Sequence, residues 1–322
     1  MRAIFFGTPQ FAADVCSYLL QQGVEIAAVI TKPDRPQGRS ATLIPTPVKS
    51  VAIAQTVPIP VFQPEIVSSP EHAPLLESFH ADLFVVVAYG EIIKQPLLDM
   101  PKTACINLHA SLLPAYRGAA PIQRCIINGE IETGVTIIHM VKKMDAGDMI
   151  AKEKVAIGPD MTYGELEAEL CRIGSGLLLK TIRDFERGAA QRTVQDHTLA
   201  TFAPKIEIED CEIDWNQSID QLHNLVRGVN PHPGAWCRVK VKDHEKRLRV
   251  ITTKIVSRES KGIPGQIISS TKEGLYISCG SGIGQGVINL IEIQLEGKKA
   301  MPAEEFMRGL PNGSLQFLTH SK

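Results

Sequence analysis

Signals for disulfide bonds, metal binding and membrane insertion are missing from this chain of 322 residues. Its seven cysteines are odd in number and widely spaced, with no CxxC pair and no Cys/His cluster at zinc spacing. We therefore expect reduced, mostly buried thiols and no bound metal. No apolar run approaches the roughly 20 residues that span a bilayer, and the opening MRAIFFGTPQF is too short for a signal peptide's apolar region. The sequence predicts a cytoplasmic protein with no membrane partner.

Net charge is also nearly absent. A formal charge of -1 argues against a protein coated in basic surface for binding a polyanion. Positive charge is nevertheless concentrated between Arg238 and Lys261, where nine Lys or Arg residues stand against three Asp or Glu residues. Composition alone favours a solvated pair of strands in this segment over an RNA-binding surface.

The first part of the chain has the pattern of an α/β domain. Short apolar strands alternate with helical stretches, which predicts a doubly wound domain whose parallel sheet is buried on both faces. A long amphipathic helix at about 162–186 closes this domain, which we place at residues 1–187. The predicted strands are 2–6, 24–30, 83–88, 105–108 and 134–140.

A second domain is expected because single cores stop growing at roughly 250 residues. Residues 188–205 lose their periodicity, which indicates a linker. A predicted helix at 218–229 is then followed by short strands with Gly-rich turns, which favours a small antiparallel β-barrel at 206–322. The predicted strands of this domain are 235–241, 248–256, 265–269, 274–279 and 287–294.

Polar residues that follow predicted strands are the candidates for chemistry, because ligands bind beyond the carboxyl ends of strands in open α/β sheets. The segment 7–9 has one of the three glycines of GxGxxG, so a nicotinamide cofactor is only weakly indicated. Asn107 and His109 end a strand two positions apart, so their side chains point the same way. Asp145 lies in a polar turn beyond the strand at 134–140.

These three side chains suit acyl-type transfer to an amine. A neutral imidazole can take a proton from the attacking amine, an amide can donate to a developing oxyanion, and a carboxylate can support the imidazole. From spacing alone, a structural histidine remains the stronger interpretation. The chain has no GxSxG elbow and no cysteine beside a plausible base, so covalent catalysis is not indicated.

Several motifs, in order along nearly the whole chain, carry a resemblance to a known family. They are FFGTPQFA, TKPDRPQGR, PTPVK, NLHASLLPAYRGAAPIQ, ETGVTIIHM, MDAGDMI and VNPHPGAW. The chain resembles the folate-dependent formyltransferases, whose signature is Asn-x-His followed by SLLP and later by an Asp-x-Gly-Asp loop. The resemblance implies a Rossmann-like, doubly wound, mostly parallel sheet without a nucleotide, then a linker and a C-terminal β-barrel of oligonucleotide-binding (OB) type.

The resemblance also implies an activity, which is transfer of a formyl group from 10-formyltetrahydrofolate to an amine without a metal. Its catalytic positions fall on Asn107, His109 and Asp145. The motifs TKPDRPQGR and VNPHPGAW are similar to those of members that formylate methionine on initiator Met-tRNA for translation initiation. The expected partners are therefore initiator Met-tRNA and the folate, and we expect a monomer.

Binding roles carry over in the same way. The segment matching the folate-binding SLLP comprises Ser111, Leu112, Leu113 and Pro114, and the residues expected beside the pterin are Val87, Tyr89 and Gly90. Loop 34–47 matches an insertion that approaches the tRNA acceptor end, with Arg39 at its basic position; Ser40-Ala41-Thr42 stand where further lysines are expected. Local charge and the linker predict further RNA contacts at Lys205, Lys240, Lys246 and Arg249.

Rival functions remain open. A sugar-nucleotide formyltransferase can share the catalytic residues and a comparable length, but TKPDRPQGR and VNPHPGAW argue against it. A glycinamide-ribonucleotide formyltransferase would lack the segment after the linker, and a formyltetrahydrofolate hydrolase would not need a loop toward tRNA. A redox enzyme or a non-catalytic nucleotide-binding module is disfavoured by the incomplete glycine fingerprint.

Overall fold

The computed structural model describes residues 1–36, 42–260, 262–311 and 314–318. Its strands, numbered along the chain, are β1 (Arg2–Gly7), β2 (Glu25–Ile30), β3 (Arg35–Pro36), β4 (Leu43–Ile44), β5 (Val61–Phe62), β6 (Leu83–Val87), β7 (Ala104–His109), β8 (Arg117–Gly118), β9 (Glu132–His139), β10 (Met149–Ala156), β11 (Phe202–Ala203), β12 (Ala235–Val241), β13 (His244–Ser257), β14 (Ile267–Thr271), β15 (Gly274–Cys279), β16 (Gly286–Leu295), β17 (Met301–Pro302) and β18 (Leu315–Phe317). Its α-helices are α1 (Gln10–Gln21), α2 (Pro47–Ile53), α3 (Ala73–Glu77), α4 (Gln95–Leu98), α5 (Pro121–Ile127), α6 (Tyr163–Glu186), α7 (Ile219–Gly228) and α8 (Ala303–Arg308).

The chain divides into two compact units. Unit 1 comprises Met1–Pro121, Glu132–Ala156 and Glu167–Ala203. Unit 2 comprises Ile122–Ile131, Ile157–Leu166 and Pro204–Lys322. Two short stretches within the predicted first domain therefore group with the C-terminal residues.

Unit 1 contains a seven-stranded sheet of order β10-β9-β7-β6-β1-β2-β5. The five strands from β7 to β5 pair in parallel, which confirms the predicted mostly parallel, doubly wound architecture. β9 differs, because it pairs antiparallel with β7 and forms an antiparallel pair with β10. Strand β6 is buried along its whole length, as expected for a strand covered on both faces.

The first strand and helix show how local sequence produces this sheet. β1 ends at Gly7, where an added Cβ would come within 2.7 Å of the Ala12 Cβ, so the strand and α1 pack closely only because Gly7 has no side chain. Helix α1 buries one apolar face, formed by Phe11, Ala12, Ala13, Val15, Cys16 and Leu19. An amphipathic helix of this kind is held by packing rather than by helix propensity.

Unit 2 contains a curled antiparallel sheet of order β14-β15-β16-β13-β12-β18, with β17 paired to β16. The register of β13 against β16 shifts at Val250/Thr252 and again at Ile255/Ser257. Such bulges bend and twist a strand, which curls the sheet. Helix α7 starts with a capping box, in which Ser218 and Gln221 satisfy each other's backbone amides. The barrel-like C-terminal domain predicted from the sequence is confirmed.

The seven cysteines are all buried, as the sequence predicts. Burial raises the pKa of the Cys16 thiol to about 12, so the reactive thiolate is disfavoured there.

Within the described ranges, no three His, Cys, Asp or Glu side chains are grouped to hold a metal ion. No helix in that part of the chain is long and apolar enough to cross a membrane.

One buried histidine at the end of β9 should make unfolding sensitive to pH. Burial, with a smaller contribution from Arg192 that Asp148 partly opposes, lowers the pKa of His139 from 6.5 to about 4. Between these values the unfolded chain binds more protons than the folded chain, so stability falls as pH falls. We expect the wild type to lose on the order of 1–2 kcal/mol more unfolding free energy than His139→Gln between pH 7.5 and pH 5. Urea unfolding at both pH values measures this, and equal losses in the two proteins would refute it.

Candidate active site

The predicted pair at the end of β7 occupies one side of the strand. Asn107 is half-buried, and its amide makes no hydrogen bond to another residue in the described ranges. His109 is buried, with its side chain 6% exposed. Leu108, which lies between Asn107 and His109, points to the other face of β7, where its side chain packs beside Gly174 of α6. Helix α6 therefore covers that face of the strand. The hydrogen-bonding groups of the Asn107 side chain are thus unused by the described residues on the side of the strand that carries His109.

A backbone carbonyl orients the histidine ring. His109 Nε2 lies 2.9 Å from the Tyr116 carbonyl oxygen. A carbonyl can only accept, so Nε2 carries the proton and Nδ1 is left as the nitrogen that can accept one. Tyr116 adopts a left-handed conformation with φ of 59°, and its amide donates to Thr201 Oγ1 at 2.8 Å. The turn after the SLLP segment thus sets the tautomer of His109.

Asp145 lies beside the free nitrogen of this ring. Its Oδ2 is 3.7 Å from His109 Nδ1, and the same oxygen accepts a hydrogen bond of 2.8 Å from the Gly118 amide. At 3.7 Å the carboxylate supports a positive imidazole by charge rather than by a hydrogen bond. The backbone amide of Gly118, which no sequence motif reveals, is what fixes the carboxylate.

The route that brings Asp145 to this point differs from the prediction. The sequence predicts Asp145 beyond the carboxyl end of a parallel strand, but β9 is antiparallel to β7, so the rule for ligand sites of parallel sheets does not apply. The loop between β9 and β10 instead folds back toward His109. Asp145 has φ of 50°, and Gly147 packs so closely on the His139 carbonyl that an added Cβ would lie 1.7 Å from its oxygen.

The predicted folate segment forms a buried turn. The Ser111 hydroxyl donates to the Ala115 carbonyl at 2.6 Å, and Leu113 is 1% exposed. Leu112 and Pro114 are half-buried and keep part of their surface open. A charge at Leu113 would therefore test folding rather than folate binding, and Leu112 is the better position for a binding test.

The predicted pterin residues lie at the carboxyl end of β6, where Val87 is the last residue of the strand and Tyr89 and Gly90 follow it. Val87 and Tyr89 are buried, and the Tyr89 ring packs edge-on against Phe6 with centroids 5.6 Å apart. Gly90 is exposed with φ of 83°, and Ala88, two residues earlier, is exposed with φ of 45°. Only the backbone around Ala88 and Gly90 is therefore open to a ligand.

In unit 2 the predicted basic residues do not share one face. Lys246 lies opposite buried Val239, whereas Lys240 lies on the other side of β12. Arg249 is half-buried and donates to the Pro231 carbonyl. Lys205, elsewhere in this unit, is exposed and lies 3.3 Å from Glu207. The predicted Arg39 falls outside the described residues.

Two further arginines, which the sequence analysis does not select, lie on the Lys240 side. Arg238 and Arg247 lie opposite each other in the β12–β13 pair, and the Arg247 guanidinium stacks 3.9 Å from the centre of the Trp236 ring. The two-residue alternation of β12, in which Val239 is apolar and its neighbours are basic, was the signal that could have found them. We call this side of the curled sheet the basic face; it carries Lys240, Arg238, Arg247 and Arg249. Acidic residues partly offset its charge, since Arg238 lies 3.2 Å from Glu212 and 3.4 Å from Glu245, and Lys240 lies 3.8 Å from Asp243.

Comparisons with known proteins cover the chain from end to end. Residues 1–182 match the formyl transferase family and residues 205–311 match the formyl transferase C-terminal domain. The chain is 61% identical over 320 residues to a methionyl-tRNA formyltransferase of Protochlamydia amoebophila (strain UWE25), covering 99% of this chain and 98% of that protein. It is 42% identical to a methionyl-tRNA formyltransferase of Chlamydia pneumoniae, with the same coverage.

Solved structures share the fold at low sequence identity. An N-formyltransferase from Helicobacter canadensis, in complex with folinic acid and dTDP-3-aminofucose, matches with a TM-score of 0.65 and 20% identity, over 90% of this chain and 98% of that chain. HypX from Aquifex aeolicus, in complex with tetrahydrofolic acid, matches with a TM-score of 0.63 and 18% identity, over 97% of this chain. This chain spans 48% of HypX, about half its length.

Proposed function

The chain belongs to the formyl transferase family, and from that premise we propose that it transfers the formyl group of 10-formyltetrahydrofolate to the α-amino group of methionine on initiator Met-tRNA. The observation that carries the chemistry is the placement of His109 Nδ1 3.7 Å from Asp145, at the strand end that also holds Asn107. The acceptor follows from the relatives, which match over nearly their whole length.

The three side chains divide the work of an amine attack. The folate donor supplies the formyl carbon. As the amine nitrogen bonds to the formyl carbon, His109 accepts the amine's proton at Nδ1, and the resulting imidazolium lies between the Tyr116 carbonyl and the Asp145 carboxylate. When the bond between the formyl carbon and the folate nitrogen breaks, the imidazolium returns this proton to the departing nitrogen, and tetrahydrofolate is released. The Asn107 amide donates to the formyl oxygen as negative charge develops on it. An aminoacyl amine has a reference pKa of about 7.7, so much of it is neutral at physiological pH and no strong base is required.

The residues present fit a folate donor. The exposed backbone at Ala88 and Gly90 lies at the carboxyl edge of the sheet, where ligands of open α/β sheets bind. Leu112 and Pro114 offer partly open apolar surface for the flat pterin ring. The unpaired Asn107 amide supplies a donor for the formyl group.

A sugar N-formyltransferase is the second candidate, since one of the solved structures with this fold carries an amino-sugar nucleotide. The 20% identity to the Helicobacter canadensis N-formyltransferase supports a common fold. The 61% identity to the Protochlamydia amoebophila methionyl-tRNA formyltransferase, over nearly the whole of both chains, supports a common acceptor. Separate reactions with labelled 10-formyltetrahydrofolate and either Met-tRNA or dTDP-3-aminofucose distinguish them. Label recovered on the sugar nucleotide, with none on Met-tRNA, would replace this proposal with the second candidate.

The basic face of unit 2 is our candidate for the tRNA backbone. Each phosphate neutralised by a Lys or Arg contributes about -0.7 to -0.9 to the log-log slope of affinity against salt. We expect the Arg238→Gln/Arg247→Gln double variant to bind Met-tRNA more weakly and with a shallower slope. Filter binding between 50 and 200 mM KCl measures both quantities.

Lys246→Gln is the matched control for that experiment, because Lys246 lies on the opposite side of the same strand pair. Its slope should equal that of the wild type. A flatter slope in Lys246→Gln than in the double variant would place the RNA on the other side of the sheet.

A further inference from the structure

A buried arginine stands next to the candidate active site with no acidic partner. Arg117 is 2% exposed, and in the described part of the chain no carboxylate lies within ion-pair distance of it. Its Nη2 donates instead to Gln195 Oε1 at 2.6 Å and to His197 Nδ1 at 2.8 Å. Burying a charged guanidinium costs free energy, and among the described residues only two neutral hydrogen-bond acceptors offset that cost. We therefore expect Arg117 to have a role other than packing.

Gln195 connects this arginine to the loop that carries Asp145. It is 3% exposed, and its Nε2 donates to the Asp145 carbonyl at 2.9 Å and to the Gly147 carbonyl at 2.6 Å. Both N–H groups of the Gln195 side chain thus donate to backbone carbonyls of one short loop, and the side-chain oxygen accepts a hydrogen bond from Arg117. The same segment pairs with the end of the loop, since Thr193 and Met149 exchange two backbone hydrogen bonds of 2.8 Å.

The loop needs such restraint. Asp145 has φ of 50°, a conformation that residues other than glycine adopt only when their surroundings hold them there. Its carboxylate points at His109 only while the Gly118 amide and the loop backbone keep their positions. A small rotation of the 145–147 backbone would move the carboxylate away from the imidazole.

Resting on the proposed formyl transfer, we propose that Gln195, fixed by buried Arg117, is a positioning residue that holds the 145–147 backbone so that the Asp145 carboxylate supports His109. Gln195 touches neither reacting group and acts through Asp145. The chain therefore relies on three elements distant in sequence for one carboxylate position: the turn at Arg117 and Gly118, the β9–β10 loop, and the segment around Gln195.

The test uses two variants of Gln195 in the full chain. Gln195→Met has a similar length without hydrogen bonds, and Gln195→Glu still accepts from Arg117 but presents a carboxylate to two carbonyl oxygens. We expect kcat for Met-tRNA formylation to fall about 10- to 100-fold in both, with KM for Met-tRNA and for the folate within about twofold of wild type. Amide hydrogen exchange across 143–148 should speed up in both variants, whatever acceptor the enzyme uses.

A double-mutant cycle separates positioning from general destabilisation. If Gln195 acts through Asp145, adding Gln195→Met to Asp145→Asn should lower kcat by less than about threefold further. Thr181→Val is the control, because it removes one buried hydroxyl hydrogen bond within α6 and should lower Tm with kcat unchanged.

The outcomes are distinct. Unchanged exchange across 143–148, or a full additive loss in the Asp145→Asn background, would overturn the positioning role. Absence of Met-tRNA formylation by the wild type, with faster exchange in both Gln195 variants, would leave the loop restraint standing and remove the proposed function instead.

Discussion

We expect His109→Gln to lower kcat for Met-tRNA formylation by about 100-fold or more, with Tm close to that of the wild type. A glutamine amide can still donate to the Tyr116 carbonyl, which His109 Nε2 contacts at 2.9 Å, so the turn keeps its hydrogen bond. It cannot accept a proton where Nδ1 faces Asp145. The measurement is kcat at saturating Met-tRNA and folate, with thermal unfolding of the same preparations.

His223→Gln provides the matched control, since His223 is also a buried, hydrogen-bonded histidine. It is 5% exposed and bonds to Thr253 Oγ1 at 2.9 Å in unit 2. That variant should lower Tm and leave kcat within about twofold of wild type. A wild-type kcat in His109→Gln, or equal losses of kcat in both variants, would remove His109 from the proposed chemistry.

Asn107→Ala should lower kcat by about 100- to 1,000-fold, the usual cost of removing one donor to a developing oxyanion. Because the Asn107 amide makes no hydrogen bond within the described residues, the substitution breaks no native contact of that kind and Tm should hardly change. Steady-state kinetics should show the loss in kcat, with KM for Met-tRNA nearly constant.

Asn107→Asp is the stricter variant of the same experiment. It keeps the size of the side chain but places an acceptor with negative charge where the formyl oxygen becomes negative. The loss should be at least as large as in Asn107→Ala. Higher activity in Asn107→Asp than in Asn107→Ala would show that the amide does not donate to that oxygen.

Strand positions were predictable from the sequence, but strand direction was not. The apolar runs located β1, β6, β7 and β9 to within about two residues, because burial on both faces leaves a continuous apolar signal. The same signal contains nothing about direction, so the antiparallel pairing of β9 was missed. The motif MDAGDMI predicts Asp145 independently of the rule for parallel strands, and its carboxylate lies 3.7 Å from His109.

The parts of the site that the sequence did not reveal are mostly backbone groups and their supports. The Tyr116 carbonyl and the Gly118 amide hold His109 and Asp145, and a backbone group has no letter that marks it. Gln195 lies in a segment whose lost periodicity indicated only a linker, although its amide is buried against the catalytic loop. Long-range hydrogen bonds of this kind depend on tertiary structure and leave no periodic pattern.

The basic face shows a different limit. Local charge drew attention to the β12–β13 pair, but counting charges ignored which side of the sheet each residue faces. Applying the two-residue alternation of β12 would have separated Lys240 and Arg238 from Lys246.

The central claim is that formyl leaves the folate only to reach the amine of Met-tRNA, and the stoichiometry of one reaction tests it directly. Labelled 10-formyltetrahydrofolate, Met-tRNA and dTDP-3-aminofucose are incubated together with the enzyme, and tetrahydrofolate release is compared with N-formylmethionine recovered from the tRNA. We expect one N-formylmethionine for each tetrahydrofolate released, with no label on the sugar. Release of tetrahydrofolate without N-formylmethionine would contradict formyl transfer to Met-tRNA. The label would then be recovered as free formate or on the sugar nucleotide.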